Sequence, residues 1–401
     1  MEKRTNNVKQ AIIDSVEENL NICLNCPLIS EIGDGNINRV FRIEDEKSDV
    51  CPMVVKYAPE SAVILPTLRP DRNRGMREGK YLELCAGYVP DMVPKVIFYD
   101  EKRYMLFIED LGNVRTLSAE LINGDFSAFD TRKMAHFSAD TCFYTSDFAE
   151  TKNEKIDFSV FDYHDLCVLT KELVFEQPYY PHENNRFMSE NEFFVEKKIY
   201  SDKDLKNRVE ELKNEFLFSH QAVIHGDLHT ASVFAKNGAN VVFDGEFSYN
   251  GPIAFDTGNV IAHLLMAFFR WSVIEKTRSL KNKTDIEIPV LRAYEYLDMS
   301  ADRFSQLVNS FGKENFNAEH VIEKIKKDSF SFAGTECVRR VVGLAKSPIF
   351  TEKLTDNERM LIERCLLFAG SALILNDKGF CSQKQFLEFC KTTFNEGMNI
   401  S

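Results

Sequence analysis

Over the first 110 residues, short runs alternate apolar and polar positions: NRVFRI, PMVVKYA, VPKVIFYD and YMLFIED. A period of two predicts strands. One stretch among them, RNRGMREGKYLELCAG, carries helical spacing instead, and residues 1–27 read as a helical lead-in that ends at Pro27. After Asp110 the period lengthens and helical patterns run to the C-terminus, apart from a strand-rich island at 222–247. A small β-rich front followed by a large α-rich back is an α+β, two-lobe organisation. The boundary falls near Gly112, giving residues 1–112 and 113–401. The longest apolar stretch, TGNVIAHLLMAFFRWSVI at 257–274, pairs its apolar positions (Val260/Ile261, Leu264/Leu265, Phe268/Phe269) and contains His263 and Arg270. That is a buried core helix; a membrane span needs ~20 apolar residues with few charges. FAGSALIL is a second core segment, and no chemistry is legible beyond about residue 350. The segments 149–155 and 178–187 read as exposed loops.

Composition narrows the choice of partner. The chain has 401 residues, 44% of them hydrophobic, enough for two or three domains or lobes. Its net charge is −13 and its pI about 5.3. Such a surface argues against nucleic acid, which wants clustered Lys and Arg, and against an anionic membrane. It leaves a phosphate-bearing ligand open, because a local basic patch or a metal reverses the sign inside a cleft. Ten dispersed cysteines and the polar start MEKRTNNVKQ suit a reduced, cytoplasmic protein. Cys23 and Cys26 form a lone C-x-x-C without partners at zinc spacing.

The chemistry concentrates in VIHGDLHTAS at 223–232. AVIH is a short strand, and SVFAK and NVVFD form a hairpin around Asn237-Gly238. Asp227 thus lies on the loop entering the hairpin and Asp244 where it ends. A loop aspartate can take the proton of a hydroxyl nucleophile, and further carboxylates can hold the Mg²⁺ that neutralises transferring phosphates. Asp244 and Glu246, two apart, project to one side of an extended segment, with Gly245 between them leaving the backbone free to bend. Zinc at His225 and His229 lacks both a helix and a third ligand, and a bland polar turn leaves the D-x-E unexplained. His225 reads as a hydrogen-bonded loop anchor.

The front half supplies the parts that a nucleotide needs. Gly33 and Gly35 allow close approach to phosphates, and Asn38 can add a contact. Lys56, in VVKYA, can meet α/β-phosphates. Glu78, or its rival Glu83, can pair with that lysine, and the backbone of FIEDLG can read adenine. Glycine loop, lysine, helical glutamate, hinge, catalytic aspartate and metal carboxylates follow one another in kinase order. No G-x-x-x-x-G-K-[ST] is present, so a P-loop NTPase is not supported.

HGDLHTASVF and VVFDGEFSYNGPIAFDTGNVIAHLL, together with EIGDGNINRVFRI, resemble the 5-methylthioribose kinase family, part of the wider group of aminoglycoside phosphotransferases and choline kinases. The resemblance spans about residue 30 to past 345 and implies a protein-kinase-like fold. It further implies ATP and Mg²⁺ as cofactors, a cytoplasmic homodimer, and phosphorylation of the anomeric hydroxyl of methylthioribose in methionine salvage. It carries Asp227 over as base and sugar contact, Asp244 and Glu246 as metal ligands, and Gly33, Asp34, Gly35, Asn38 and Lys56 as nucleotide ligands. Glu109, Asp110 and Leu111 become the hinge, Asp256 a brace of the catalytic loop and candidate helix N-cap, and Arg339 and Arg340 the substrate arginines. Adjacent on a helix, those two arginines point in different directions, so one faces the cleft and the other braces the fold. The chain departs from the family at Gly245 (for Pro), Ala231 (for Gly) and Phe187 (for Trp), and Ser232 stands where protein kinases carry Asn. A kinase for another hydroxyl acceptor, such as an amino alcohol, an aminoglycoside or another sugar, is the nearest alternative. A non-catalytic nucleotide-binding module is the alternative from another class.

Overall fold

The computed structural model describes residues 2–32, 37–47, 51–62, 69–150, 157–236, 238–279, 285–313 and 318–399. Helix α1 (Glu2–Leu20) stops before Pro27, where Asn21 takes φ 53°, a left-handed conformation that ends helices. Strands β1 (Leu28–Glu31), β2 (Arg39–Glu44), β3 (Met53–Tyr57), β4 (Val96–Asp100) and β5 (Met105–Glu109) form one antiparallel sheet in the order β1-β2-β3-β5-β4. Helix α2 (Arg74–Ala86) lies between β3 and β4 in the chain. Strand alternation decides the faces. Phe41, Ile43, Met53, Val55, Met105 and Phe107 turn to one side, where Ile12 and Val16 of α1 cover them. Lys56, one residue out of phase with Val55, therefore faces the other side, with Leu106 and Ile108, toward α2.

The rest is mainly helical. In chain order it comprises β6 (Arg115–Thr116), α3 (Leu117–Asn123), α4 (Thr131–Thr145), α5 (Asp165–Lys171), α6 (Glu192–Val195), α7 (Lys203–Phe218), β7 (Ala222–Ile224), β8 (Val233–Lys236), β9 (Ala239–Val242) and β10 (Tyr249–Gly251). Helices α8 (Ile253–Arg278), α9 (Ile288–Phe311), α10 (Ala318–Val342), α11 (Asp356–Leu375) and α12 (Gln383–Met398) complete it. The architecture is α+β, as expected. Helix α8 packs on α9, α10 and α11, and 94% of its most apolar window is buried within the protein, so it is a core helix.

The island at 222–247 forms the expected hairpin, β8 against β9, with Gly238 at φ +75° and Asn237 outside the described residues. Strand β7 has a partner that the sequence pattern did not reveal, β10. The loop expected at 178–187 is exposed only from Tyr180, since Pro178 and Tyr179 are buried. Of 149–155, residues 151–155 fall outside the described residues.

Candidate active site

Strand β7 delivers the chain into His225-Gly226-Asp227. Gly226 has φ +79°, and a Cβ there would stand 2.3 Å from the Phe247 carbonyl oxygen, so only glycine fits. The N–H groups of His225 and Gly226 donate to Asp256 Oδ2 (2.6 Å) and Oδ1 (3.0 Å). Asp256 is thus the brace of this loop but not a helix N-cap: α8 is capped at Pro252, and Asp256 sits inside its first turn with both oxygens turned to the loop. Burial pushes its pKa up to about 7, against the lowering effect of those N–H groups. His225 is fully buried. Its Nδ1 accepts from the Asp227 N–H (3.3 Å), which leaves the proton on Nε2 to donate to the Phe243 carbonyl oxygen at 2.8 Å. Burial lowers its pKa, so the ring is neutral. With both nitrogens engaged, His225 is the expected anchor and no zinc ligand. Among the described residues no group of three or more His, Cys, Asp and Glu is placed to hold a metal.

Asp227 is met by two arginines and a histidine. Arg339 Nη2 donates to its Oδ1 at 2.8 Å, Arg340 Nη2 lies 3.5 Å from the same oxygen, and His229 Nε2 is 3.2 Å from Oδ2. Burial works to raise the Asp227 pKa, but His229 and the two arginines outweigh it and hold the carboxyl well below its ordinary range. Both arginines are buried and both reach Asp227, which corrects the expectation that one would face away.

The third group joins the sheet to the helical part. Lys56 Nζ stands 2.7 Å from Glu78 and also bonds to Asp244. Glu83 pairs with Lys80 on the surface instead, so Glu78 is the partner of the two candidates. Burial opposes the lysine's charge, yet Asp244, Glu78 and Glu246 outweigh it and raise its pKa. Asp244 titrates lower than usual: burial raises it, and Lys56 more than offsets that. Its side chain keeps 41% exposure, so one face of the carboxylate stays open. The D-G-E segment is not extended as expected. Asp244 takes φ 71°, ψ 37°, and Gly245–Phe247 forms one 3₁₀ turn. A Cβ on Gly245 would lie 2.4 Å from Tyr81 Cδ1, so the departure at this position is matched by the close approach of α2.

Glu246 is buried. It accepts from Asn38 Nδ2 at 2.7 Å and lies 3.5 Å from Arg74 Nε, which in turn donates to Asn38 Oδ1 at 2.8 Å. Burial, then the negative charge of Asp244, push its pKa up to about 8. At the proposed hinge, Glu109 is exposed at the end of β5 and accepts from the Lys95 N–H (3.1 Å); Asp110 is held by Arg42 Nε at 2.6 Å; Leu111 is half-buried. Gly33, Asp34 and Gly35 lie outside the described residues. The loop with Phe187 is pinned beside the arginines: the Arg186 N–H donates to the Val342 carbonyl (2.7 Å) and the Met188 N–H to Glu363 (2.8 Å). Ser232 is buried and faces His229 Nδ1 at 3.3 Å. Sequence reasoning missed Arg74, one of several basic residues in its stretch, and the pair Glu336 and His263, which no local signal sets apart on their helices.

With its small antiparallel sheet and mainly helical remainder, the chain falls in a class of small-molecule kinases, as its relatives show. The methylthioribose kinase of Geobacillus sp. (strain WCH70) is 32% identical over 365 residues, 88% of each chain. That of Bacillus cereus (strain ATCC 10987 / NRS 248) is 33% identical over 351 residues, 86% of each. The chain belongs to the methylthioribose kinase family. No protein-family model matches it. Among solved structures, a choline kinase from Cryptosporidium parvum Iowa II covers 97% of this chain and 94% of its own with 12% identity and a TM-score of 0.46, a likeness too distant to bear on function.

Proposed function

We propose that this protein is an ATP-dependent kinase that phosphorylates the anomeric hydroxyl of 5-methylthioribose, giving methylthioribose 1-phosphate for methionine salvage. The observation that carries this reading is a carboxylate, Asp227, fixed by two arginines and tied through His225 to the turn that carries the Lys56–Asp244 pair, in a chain 33% identical to a methylthioribose kinase over 351 residues. In the proposed division, residues 1–112 bind the nucleotide, through Gly33, Asp34, Gly35, Asn38, Lys56 and the hinge backbone of Glu109, Asp110 and Leu111. Residues 113–401 carry the acceptor and the acids.

Asp227 orients the sugar hydroxyl. A carboxylate this acidic is a poor base toward a free hydroxyl, so it receives the proton late, as the new O–P bond forms and the bond to the leaving ADP oxygen breaks. That timing suits the loose transition state of phosphoryl transfer, in which positioning and charge dominate. Lys56 offsets phosphate charge, and Arg339 and Arg340 bind at the sugar side. The donor set fits Mg²⁺: Asp244 and Glu246 offer hard oxygens, and after burial it is the negative charge of Asp244 that pushes the Glu246 pKa up, a charge that a divalent cation would offset. When bound it would neutralise the transferring phosphates. The acidic surface, the unpaired cysteines and the family resemblance support a cytoplasmic homodimer without nucleic-acid or membrane partners, which light scattering in solution tests for assembly.

A coupled ADP-release assay over a panel of methylthioribose, other sugars, choline-type amino alcohols and aminoglycosides tests the reaction. Methylthioribose is expected to lead by orders of magnitude in kcat/KM. A better acceptor elsewhere in the panel transfers the assignment to that compound, and nucleotide binding without turnover on any acceptor overturns the enzyme reading.

A further inference from the structure

Glu336 lies on α10 one turn before Arg339 and Arg340 and is fully buried. Its Oε1 accepts from Arg340 Nε at 2.7 Å and from His263 Nε2 at 3.2 Å, and its Oε2 accepts from Arg339 Nε. Neighbouring residues on a helix point about 100° apart, so two adjacent arginines do not converge unaided. A carboxylate one turn back, at i−3 of one and i−4 of the other, draws both inner Nε groups to one point. The outer nitrogens are then aimed together. Arg339 Nη2 bonds to Asp227, while Arg340 Nη2, buried and 3.5 Å from the same oxygen, has no hydrogen-bond partner. His263 completes the arrangement from α8. Its Nδ1 accepts from Thr230 Oγ1 at 2.9 Å, and Thr230 meets Ser118 Oγ at 2.7 Å, so the loop after Asp227 is tied to the same carboxylate. Burial keeps His263 neutral, with its pKa lowered to about 4.

The geometry points to Glu336 as a positioning residue for the phosphoryl acceptor, one that holds both guanidinium groups so that Arg340 Nη2, ion-paired with Asp227 at 3.5 Å but making no hydrogen bond, is aimed at an acceptor oxygen next to the hydroxyl that Asp227 orients. This rests on the reading of Asp227 as the acceptor-side carboxylate. A buried donor without a partner is costly, and an acceptor oxygen removes that cost on binding. The acceptor class that fits is a polyol with an oxygen adjacent to the reacting hydroxyl.

Glu336→Asp is the variant of choice. It keeps the buried charge, whereas Glu336→Gln leaves two buried arginines with the single carboxylate of Asp227. The substrate is whichever acceptor the wild-type enzyme uses best, so an error in the acceptor assignment falls on the proposed function and leaves this test intact. Glu336→Asp withdraws the carboxylate by one methylene, and kcat/KM for the acceptor is expected to fall on the order of 100-fold. ADP affinity by calorimetry is expected to stay unchanged. Added to Arg340→Lys, the same substitution is expected to cost less than the sum of the two, because the Arg340 share of its effect is already lost and only the hold on Arg339 remains. The proposal is overturned by acceptor kcat/KM within twofold of wild type, by equal losses of ADP affinity and turnover, by full additivity with Arg340→Lys, or by a wild-type protein without turnover on any acceptor.

Discussion

The His225 imidazole donates to the Phe243 carbonyl oxygen at 2.8 Å and so ties the loop of Asp227 to the turn of Asp244. The same ring accepts the Asp227 N–H, and Tyr81 from α2 meets it edge-on at 5.5 Å between centroids. One side chain therefore sets the separation of the two acids and their height against the sheet. Replacing His225 with alanine leaves a buried carbonyl unpaired, a loss of about 1–3 kcal/mol. The melting temperature is expected to drop and kcat to fall further than nucleotide affinity. His225→Gln, which retains a donor, is expected to recover part of both; equal damage from Ala and Gln would show that the hydrogen bond is not what matters.

Asp227→Asn keeps the shape of the side chain and removes its charge. Turnover is expected to fall by about 10²–10⁴, the usual range for a proton-accepting group, with ADP affinity near wild type. Because two arginines and His229 hold the Asp227 pKa well below its ordinary range, this group contributes no acid limb to the rate near neutrality. A wild-type kcat in the Asn variant removes Asp227 from the mechanism.

Glu246 makes the nucleotide-free protein sensitive to alkali. Its folded pKa of about 8 lies above the ordinary 4.5, so between these values the folded state binds more protons than the unfolded one. Its contribution is complete below about pH 4.5 and is lost as pH rises through about 8. Asp256, raised to about 7, acts with the same sign. Glu246→Gln removes the first contribution, so its melting temperature relative to wild type is expected to climb from about pH 5 to about pH 8. Parallel melting curves across that window mean that Glu246 is ionised in the folded protein.

Gly245 is closed to side chains by Tyr81. With the missing Cβ 2.4 Å from a ring that is 1% exposed, Gly245→Ala is expected to destabilise by about 1–3 kcal/mol. Thermal unfolding reads this directly, and Tyr81→Leu in the same chain is expected to return part of the loss by making room. An alanine variant that melts with wild type would show that α2 can shift away.

Much of the architecture was legible because it is written in local patterns. The five runs that became β2 to β5 and α2, the hairpin, and the core helix α8 all follow from periodicity and turn residues. The site was legible only where chemistry sits in short motifs: Asp227, Asp244 and Glu246 could be named, and Lys56 could be placed on a strand. What escaped was pairing across distance. Glu78 over Glu83 depends on which face of α2 meets β3, and Asn38 meets Glu246 across 208 residues. Glu336 looks like one more charge on a helix until tertiary packing brings His263 and two arginines to it. The D-G-E segment was misjudged because the left-handed aspartate, a conformation Asp tolerates but rarely adopts, is fixed here by Lys56 and Glu78 from distant elements.

Lys56 already has company at rest, since Glu78 and Asp244 share its ammonium. In the proposed nucleotide role of Lys56, an arriving polyphosphate would compete with an internal anion for that cation, and its affinity would be the difference between two pairings. A small monovalent anion gains little from such an exchange, whereas a multiply charged chain gains a great deal. With its lysine occupied from within, such a site would favour ligands whose charge is high enough to displace both partners.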